Sequence, residues 1–416
     1  MSDWGATHST SIARGLDQEM PGGGHMGKPL IAAVKAGTIP VADVDASVLR
    51  ILTTMYKFKV FDNYAQWTNK SRHGDDVTSA KHSLLAREIA AAATVLLKNE
   101  NNLLPITEVK YKKIAVIGKN GGAGVTIHGG GSGSVTPMYT ITPMQGVSER
   151  YGGHSGPPPP PLPMKCSVLD KDTDYFVLSG SHQIAKTTSV NDCCAKCFAY
   201  EKSQYYTHEP SGDCWCHKSV GIKHKKAGYT SGSTGAGAGP AANNSHVVYD
   251  DGSNPARAAA LAASADLALV FVGTSSSEGS DRKTLSFPDD QEALVAAVAK
   301  AAGKKTAVVM FTPGAALTPW SADVGAVLSM FMPGLECGHA LADVLWGDVN
   351  PSGRLSLTFP NTENEQRFTK QQWPGINKIS VYSEKLEVGY RYYDAHKIKP
   401  KFPFGFGLSY SKVICV

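Results

Sequence analysis

DLALVFVGTSSSEGSDRKTLSFPDDQEALVAAVAKA, residues 266–301, decides the fold. Leu267–Val272 is an unbroken apolar run, too short for a helix and valine-rich, as a parallel strand covered on both faces should be. Gly273 ends it, and a loop of small polar residues follows, carrying the carboxylate Glu278 between Ser277 and Gly279. After Pro288 the pattern becomes an alanine-rich helix with Leu294, Val295 and Val298 at helical spacing. Open α/β sheets place their chemistry on loops leaving the carboxyl ends of buried strands, which marks Glu278 as a candidate. A lone loop glutamate is otherwise an ordinary solvated group. Asp281 and Arg282, adjacent in sequence, read as a local ion pair stiffening the loop.

The same rhythm extends outward. Helix 255–263 precedes the strand, and strand 305–311 follows the helix at 289–302. A further strand in VGAVLSM leads through Pro333 and Gly334 into a short helix stopped by Gly347, with Glu336 read as its cap. Upstream, SLLAREIAAAATVLLKN reads as one helix, and KIAVIGKN as a buried strand. Alternation of this kind implies an α/β fold with a mostly parallel sheet and helices on both faces. HGGGSGSVTP, residues 128–137, is glycine-rich but matches neither nucleotide fingerprint. Its glycines suit a close backbone approach to a ligand or a neighbouring loop. YSEKLEVGYRYYDA and KFPFGFGLSYSK read as aromatic, extended segments.

Residues 153–246 interrupt the pattern. A proline run, Pro157–Pro161, forms a stiff spacer, and TSGSTGAGAGPAANNS a flexible return. Between them lie Cys166, Cys193, Cys194, Cys197, Cys214 and Cys216, six of the eight cysteines of the chain. Zinc sites usually pair CxxC with CxxC or HxxxH, so disulfides are favoured over metal here, which implies an oxidising compartment. Asn69 and Asn243 stand in N-x-S acceptor patterns, consistent with secretion, although MSDWGATHST is no signal peptide.

The chain has 416 residues, which suits two or three domains. Its net charge of +5 carries no concentrated basic face, which argues against a nucleic-acid partner. No apolar run approaches the ~20 residues that span a bilayer. At the amino end, GLDQEMPGGG is a loop, and VADVDASVLRILTTMYK is an amphipathic helix with Val44, Val48, Ile51, Leu52 and Met55 on one face. Residues 63–81 read as a linker. Asp17 and Glu19 are expected to accept backbone hydrogen bonds, and the scattered His8, His25 and His128 show no ligand spacing. Cys337 and Cys415 read as buried or free thiols.

Taken together, SDWGATHS, GLDQEMPG, AREIAAAATVLLKNENNLLPI, SSEGSDRKTLSFP, PGLECGHALADVLWGDVNPSGRLSLTFP, YSEKLEVGYRYYD and PFGFGLSY resemble the family three glycoside hydrolases, the β-glucosidase and β-xylosidase group. The resemblance implies a (β/α)8 barrel, then an α/β sandwich, then often a fibronectin type III-like domain. Residues 1–62 would be the end of the barrel and 63–81 a linker. Residues 82–152 and 247–395 would form the sandwich, and 396–416 the start of a further domain. The segment 153–246 resembles a PAN/Apple domain through TSVNDCCAKCFAY and SGDCWCHKS. By resemblance Asp3 is the nucleophile, Trp4 lines the sugar pocket and Glu278 is the acid/base. The implied activity is hydrolysis of β-linked oligosaccharides or glucosides by a secreted enzyme that needs no cofactor. The Apple-like module would add a protein or glycan ligand. Since a (β/α)8 barrel needs about 250 residues, the resemblance implies an amino-terminally shortened and inactive chain, and a binding scaffold is the alternative.

Overall fold

The computed structural model describes residues 1–10, 12–68, 78–135, 137–151, 167–176, 181–184, 186–187, 189–199, 205–217, 222–233 and 246–411. Cys166, Cys415, Pro157–Pro161, the return linker from 234 to 245, and the acceptors Asn69 and Asn243 lie outside the described residues. The chain divides into two compact units, Met1–Val77 and Thr78–Val416.

In the first unit, residues 2–5 run beside 18–20. Ser2 N–H donates to Gln18 O at 2.8 Å, Gly5 N–H to Met20 O at 2.9 Å, and Trp4 forms a parallel bridge with Met20. Three helices follow: α1 (Lys28–Lys35), α2 (Val41–Lys57) and α3 (Tyr64–Thr68). Pro29 in the first turn of α1 and Pro40 just before α2 start these helices where a missing N–H costs nothing. On α2, Val44, Ile51 and Met55 are half-buried, and Val48 is 45% exposed. The presence of α3 corrects the reading of 63–68 as irregular.

The second unit is built on a six-stranded sheet. In chain order its elements are α4 (Ala80–Ala93), β1 (Val95–Asn99), β2 (Ile114–Ile117) and α5 (Pro143–Tyr151). Then come β3 (Ser167–Phe176), β4 (Ser181–Ile184), α6 (Val190–Ala199), β5 (Tyr205–His208), β6 (Cys214–His217) and β7 (Ile222–Ser233). The chain returns with β8 (Val247–Asp250), α7 (Pro255–Ala263), β9 (Leu267–Gly273), α8 (Gln291–Ala302), β10 (Thr306–Phe311), β11 (Ala326–Ser329), α9 (Cys337–Trp346) and α10 (Tyr390–His396). The sheet order is β1-β11-β10-β9-β2-β8, parallel except for the edge strand β1.

Strand β9 is buried along its whole length, and its alternating residues feed two cores. Leu267, Leu269 and Phe271 pack with Ala90 of α4, Val147 of α5 and Leu341 and Val344 of α9. Ala268, Val270 and Val272 pack with Ala258 and Ala262 of α7 and Val295 and Val298 of α8. This is the doubly covered parallel sheet that the valine-rich run predicts. Helices α5 and α9 touch backbone to backbone, because a Cβ on Gly146 would stand 2.0 Å from Gly338 O.

Two elements depart from the sequence reading. SLLAREIAAAATVLLKN is not one helix: α4 stops at Ala93, Thr94 Oγ1 donates to Ala90 O at 2.8 Å, and Val95–Asn99 becomes β1 against β11. The β-branched Thr94 and Val95 favour this break. GYRYYDA is not extended: it forms α10, where Tyr392 stacks on His396 at 4.1 Å and the buried Tyr393 donates to Glu365 at 2.8 Å. Residues 402–410 return to the sheet. Leu408 N–H donates to Leu96 O at 2.7 Å, and Leu408 and Tyr410 pack on the first core.

Strands β3 to β7 form a separate antiparallel sheet, ordered β3-β7-β5-β6-β4. Helix α6 is tied to β6 by disulfides Cys193–Cys214 and Cys197–Cys216, and Cys194 is also disulfide-bonded. The sulfurs of Cys193, Cys197 and Cys214 lie within 4.8 Å of one another, but all three are consumed in disulfides and offer no thiolate to zinc. Cys337 is a buried free thiol, pushed up by burial.

Candidate active site

Glu278 stands on the loop leaving the carboxyl end of β9. The base of that loop is clamped by Gln291 of α8, whose amide exchanges hydrogen bonds with Gly273 N–H (2.7 Å) and O (2.9 Å) and also donates to Pro288 O at 2.8 Å. Further along, Phe287 is buried in the second core, Leu285 O accepts from Leu317 N–H at 3.0 Å, and Glu363 accepts from Leu285 N–H and Thr284.

Arg282 corrects the expected ion pair with Asp281. Its half-buried guanidinium donates from Nη2 to Ala315 O at 2.8 Å, and its buried Nη1 has no hydrogen-bond partner among the described residues. Burial lowers its pKa, with Glu363 acting against that. Arg282 thus joins the loop after β9 to the loop after β10.

The glycine-rich segment 128–134 makes its close approach to this loop. Gly130 forms a parallel bridge with Ser277, and its N–H donates to Ser276 O at 2.8 Å. Gly131 sits at φ +63°, and a Cβ there would stand 2.5 Å from Glu278 Cβ. Ser132 N–H donates to Glu278 Oε2 at 2.9 Å, and Ser132 Oγ donates to the same oxygen. Those two donors, hydroxyl first and backbone second, hold the carboxyl of Glu278 below the usual range.

In the first unit Asp3 is exposed, and its Oδ1 accepts from the N–H of Trp4 at 2.7 Å; Trp4 is itself 72% exposed. Glu19 behaves as expected, accepting from Met26 N–H and His25 N–H, which lower its pKa. Asp17 does not: it pairs with Arg50 of α2, Nη2 to Oδ1 at 2.6 Å, and that partner lowers its carboxyl. Glu19 therefore serves the fold of its own loop, and Asp17 ties that loop to α2.

Glu336 sits at the N-cap of α9 but makes no cap bond. Its carboxylate, 1% exposed, accepts from Tyr139 OH at 2.5 Å and contacts His339 Nδ1 at 2.6 Å, while His339 Nε2 reaches Glu149 at 2.8 Å. Arg87 and Asp343 pair between α4 and α9, side by side with this network on α9. Sequence reading missed Ser132, Gln291 and His339: Ser132 acts on a carboxylate 146 positions away, Gln291 reaches back 18 positions to Gly273, and His339 joins its neighbour Glu336 to Glu149, 190 positions away. Only the glycines flanking Ser132 gave a signal.

A carboxylate loop at the carboxyl edge of a doubly covered parallel sheet defines an α/β protein with a candidate site where strand ends open outward. The chain belongs to glycosyl hydrolase family 3: the family's C-terminal domain matches residues 94–410. It is similar to a β-glucosidase of Rhizobium radiobacter, 29% identical, covering 99% of this chain and 58% of that protein. It is also similar to the thermostable β-glucosidase B of Acetivibrio thermocellus, 31% identical, covering 99% and 43%. Among solved structures, DesR, a β-glucosidase from Streptomyces venezuelae in complex with D-glucose, is 28% identical with a TM-score of 0.65, covering 99% and 56%. A β-glucosidase from Kluyveromyces marxianus is 25% identical with a TM-score of 0.67, covering 99% and 59%. The chain spans about half the length of these relatives.

Proposed function

We propose that the protein carrying this chain is a retaining, exo-acting β-glycosidase, a β-glucosidase that removes terminal β-linked glucose from oligosaccharides or glucosides. The observation that carries the reading is Glu278, an exposed carboxylate held on the sheet's carboxyl edge by a second loop built for it. The β-glucosidase names of the relatives supply the substrate class.

In this chemistry the ionised Asp3 attacks the anomeric carbon while Glu278 protonates the departing oxygen, so the C–O bond to the aglycone breaks as the bond to Asp3 forms. Glu278, now ionised, takes a proton from water, which attacks the glycosyl-enzyme and frees Asp3. Retaining enzymes hold such a pair about 5–5.5 Å apart. Trp4 offers an aromatic face to the sugar ring. No step calls for a metal or cofactor. The disulfides Cys193–Cys214 and Cys197–Cys216 and the paired Cys194 fit a parent protein made in an oxidising, secretory compartment. Among the described residues no helix is long and apolar enough to cross a membrane.

A second reading rests on the sheet of residues 167–233, which has its own core of Tyr206 and the disulfide cysteines. In that reading the chain is a scaffold whose Apple-like module binds a protein or glycan. Turnover of a chromogenic β-glucoside, lost on Glu278→Ala and Asp3→Ala, supports the hydrolase. Glycan or protein binding with no turnover by the protein carrying this chain supports the scaffold.

A further inference from the structure

The glycine-rich segment makes contacts with Glu278 that go beyond packing. Both polar hydrogens of Ser132 converge on one oxygen, Oε2, and among the described residues Oε1 accepts no hydrogen bond. The approach has been cleared sterically. Gly131 has no room for a Cβ beside Glu278, and Gly130 has none beside Ser277, where a Cβ would stand 2.7 Å from the hydroxyl oxygen. The bridge between Gly130 and Ser277 fixes the register in which Ser132 meets Glu278.

We propose that Ser132 is a positioning residue for the acid/base Glu278, anchoring Oε2 as a permanent acceptor so that Oε1 alone carries the transferred proton. This rests on the reading of Glu278 as the acid/base. The bond pattern is compatible with both states of the carboxyl. When Glu278 is protonated, Oε2 is the carbonyl oxygen and still accepts from Ser132, while Oε1–H points to the leaving oxygen. On proton transfer the Oε1–H bond breaks, its electron pair stays on the carboxylate, and the proton ends on the aglycone oxygen. When Glu278 is ionised, the same two donors strengthen, so the anion needed to deprotonate water is favoured.

The neighbouring charges do not perform this task. Arg282 is turned to Ala315 O, and His128 Nδ1 lies 2.7 Å from Gly129 O, inside its own segment. The other charged residues of the Glu278 loop, Asp281, Lys283, Asp289 and Asp290, make no ion pair among the described residues. The groups that lower the Glu278 carboxyl are the Ser132 hydroxyl and N–H.

The test uses Ser132→Ala, which removes the hydroxyl and keeps the N–H, and Ser132→Thr, which keeps both. Carboxyl carbon-13 NMR of the 416-residue chain follows the titration of Glu278 without any need for turnover. The expected result is an upward shift in Ser132→Ala and a return toward the wild type in Ser132→Thr. In the protein carrying this chain, kcat/KM for β-glucosides should fall on the order of tenfold in Ser132→Ala for poor leaving groups. Its alkaline limb should move to higher pH, because activity requires Glu278 protonated and its pKa has risen. An unmoved Glu278 titration in Ser132→Ala overturns the proposal directly. If that titration moves, yet Glu278→Ala retains full activity toward poor leaving groups, the acid/base reading itself has failed and the positioning role falls with it.

Discussion

His339 should make the stability of this fold depend on alkaline pH. The imidazole is 9% exposed and lies between Glu336 on Nδ1 and Glu149 on Nε2. Burial pushes its pKa down, but the hydrogen bonds to Glu149 and Glu336 and their charges outweigh it, and the net result is a pKa raised from 6.5 to about 9. A folded-state pKa above the unfolded one means that stability is fully present below pH 6.5 and is lost as pH rises through about 9. At about 1.36 kcal/mol per pKa unit that gap corresponds to roughly 3 kcal/mol. Glu149 is 40% exposed and its half of the interaction is screened, so about 2 kcal/mol is the working figure. The substitution His339→Gln keeps a hydrogen-bonding side chain of similar size and removes the charge. Urea unfolding of both proteins at pH 6 and pH 10 reads the effect as a difference of midpoints at constant slope. The variant should be about 2 kcal/mol less stable at pH 6 and nearly equal at pH 10. Titration of lysines and tyrosines is common to both proteins and cancels in the difference. A deficit of the same size at both pH values would show that His339 acts through packing alone, and the electrostatic account would be wrong.

Three further outcomes are expected. Glu278→Ala should slow hydrolysis of poor leaving groups by about 10²–10⁴-fold and of good ones far less, whereas Asp3→Ala should abolish both; equal losses in the glutamate variant would move the acid role elsewhere. Gly131→Ala should leave thermal stability within a few degrees of the wild type but lower kcat about a hundredfold, since its Cβ needs about 1 Å more room than the 2.5 Å available at Glu278 Cβ; wild-type turnover in this variant would refute the close approach. Replacing residues 153–246 by a short loop should leave a cooperatively unfolding domain, because both cores of the large sheet draw all their buried residues from outside that segment; aggregation of the shortened protein would count against this.

The parts of the fold that could be read from sequence are those whose signal is local. Leu267–Val272 is apolar throughout because both its faces are covered, and its shortness, its valines and the Gly273 that ends it favour a strand over a buried helix. Gly347 ends α9 at φ +80°, as a glycine after a helical pattern should. The misreadings share a cause: an apolar or aromatic pattern without its partner is ambiguous. Val95–Leu97 continue the helical pattern of α4 well enough, and only the hydrogen bonds of β11 make them a strand. The tyrosines of GYRYYDA suit a strand until Tyr393 finds Glu365. Side-chain pairing was least legible. Arg282 ignores its sequence neighbour for a carbonyl thirty-three residues away, and Ser132 meets Glu278 across 146 positions.

The grip of Ser132 also bears on how one carboxyl can serve as acid and then as base. In this structure the Ser132 donors favour the anion of Glu278, and desolvation acts the other way without reversing them. Under the proposed chemistry, that is the state required for the second half-reaction, when water must be deprotonated. The first half-reaction requires the proton, and Ser132 works against it. The opposing influence has to come from a nearby negative charge or from exclusion of water, since both raise a carboxyl pKa. An ionised nucleophile and a bound sugar would supply the two together. Once the glycosyl-enzyme forms, the nucleophile is esterified and its charge is gone, so the bias from Ser132 prevails and Glu278 becomes the base. The alternation of roles then needs no movement of the acid/base loop. It needs a fixed donor pair on one oxygen and a charge on the nucleophile that disappears at the right moment.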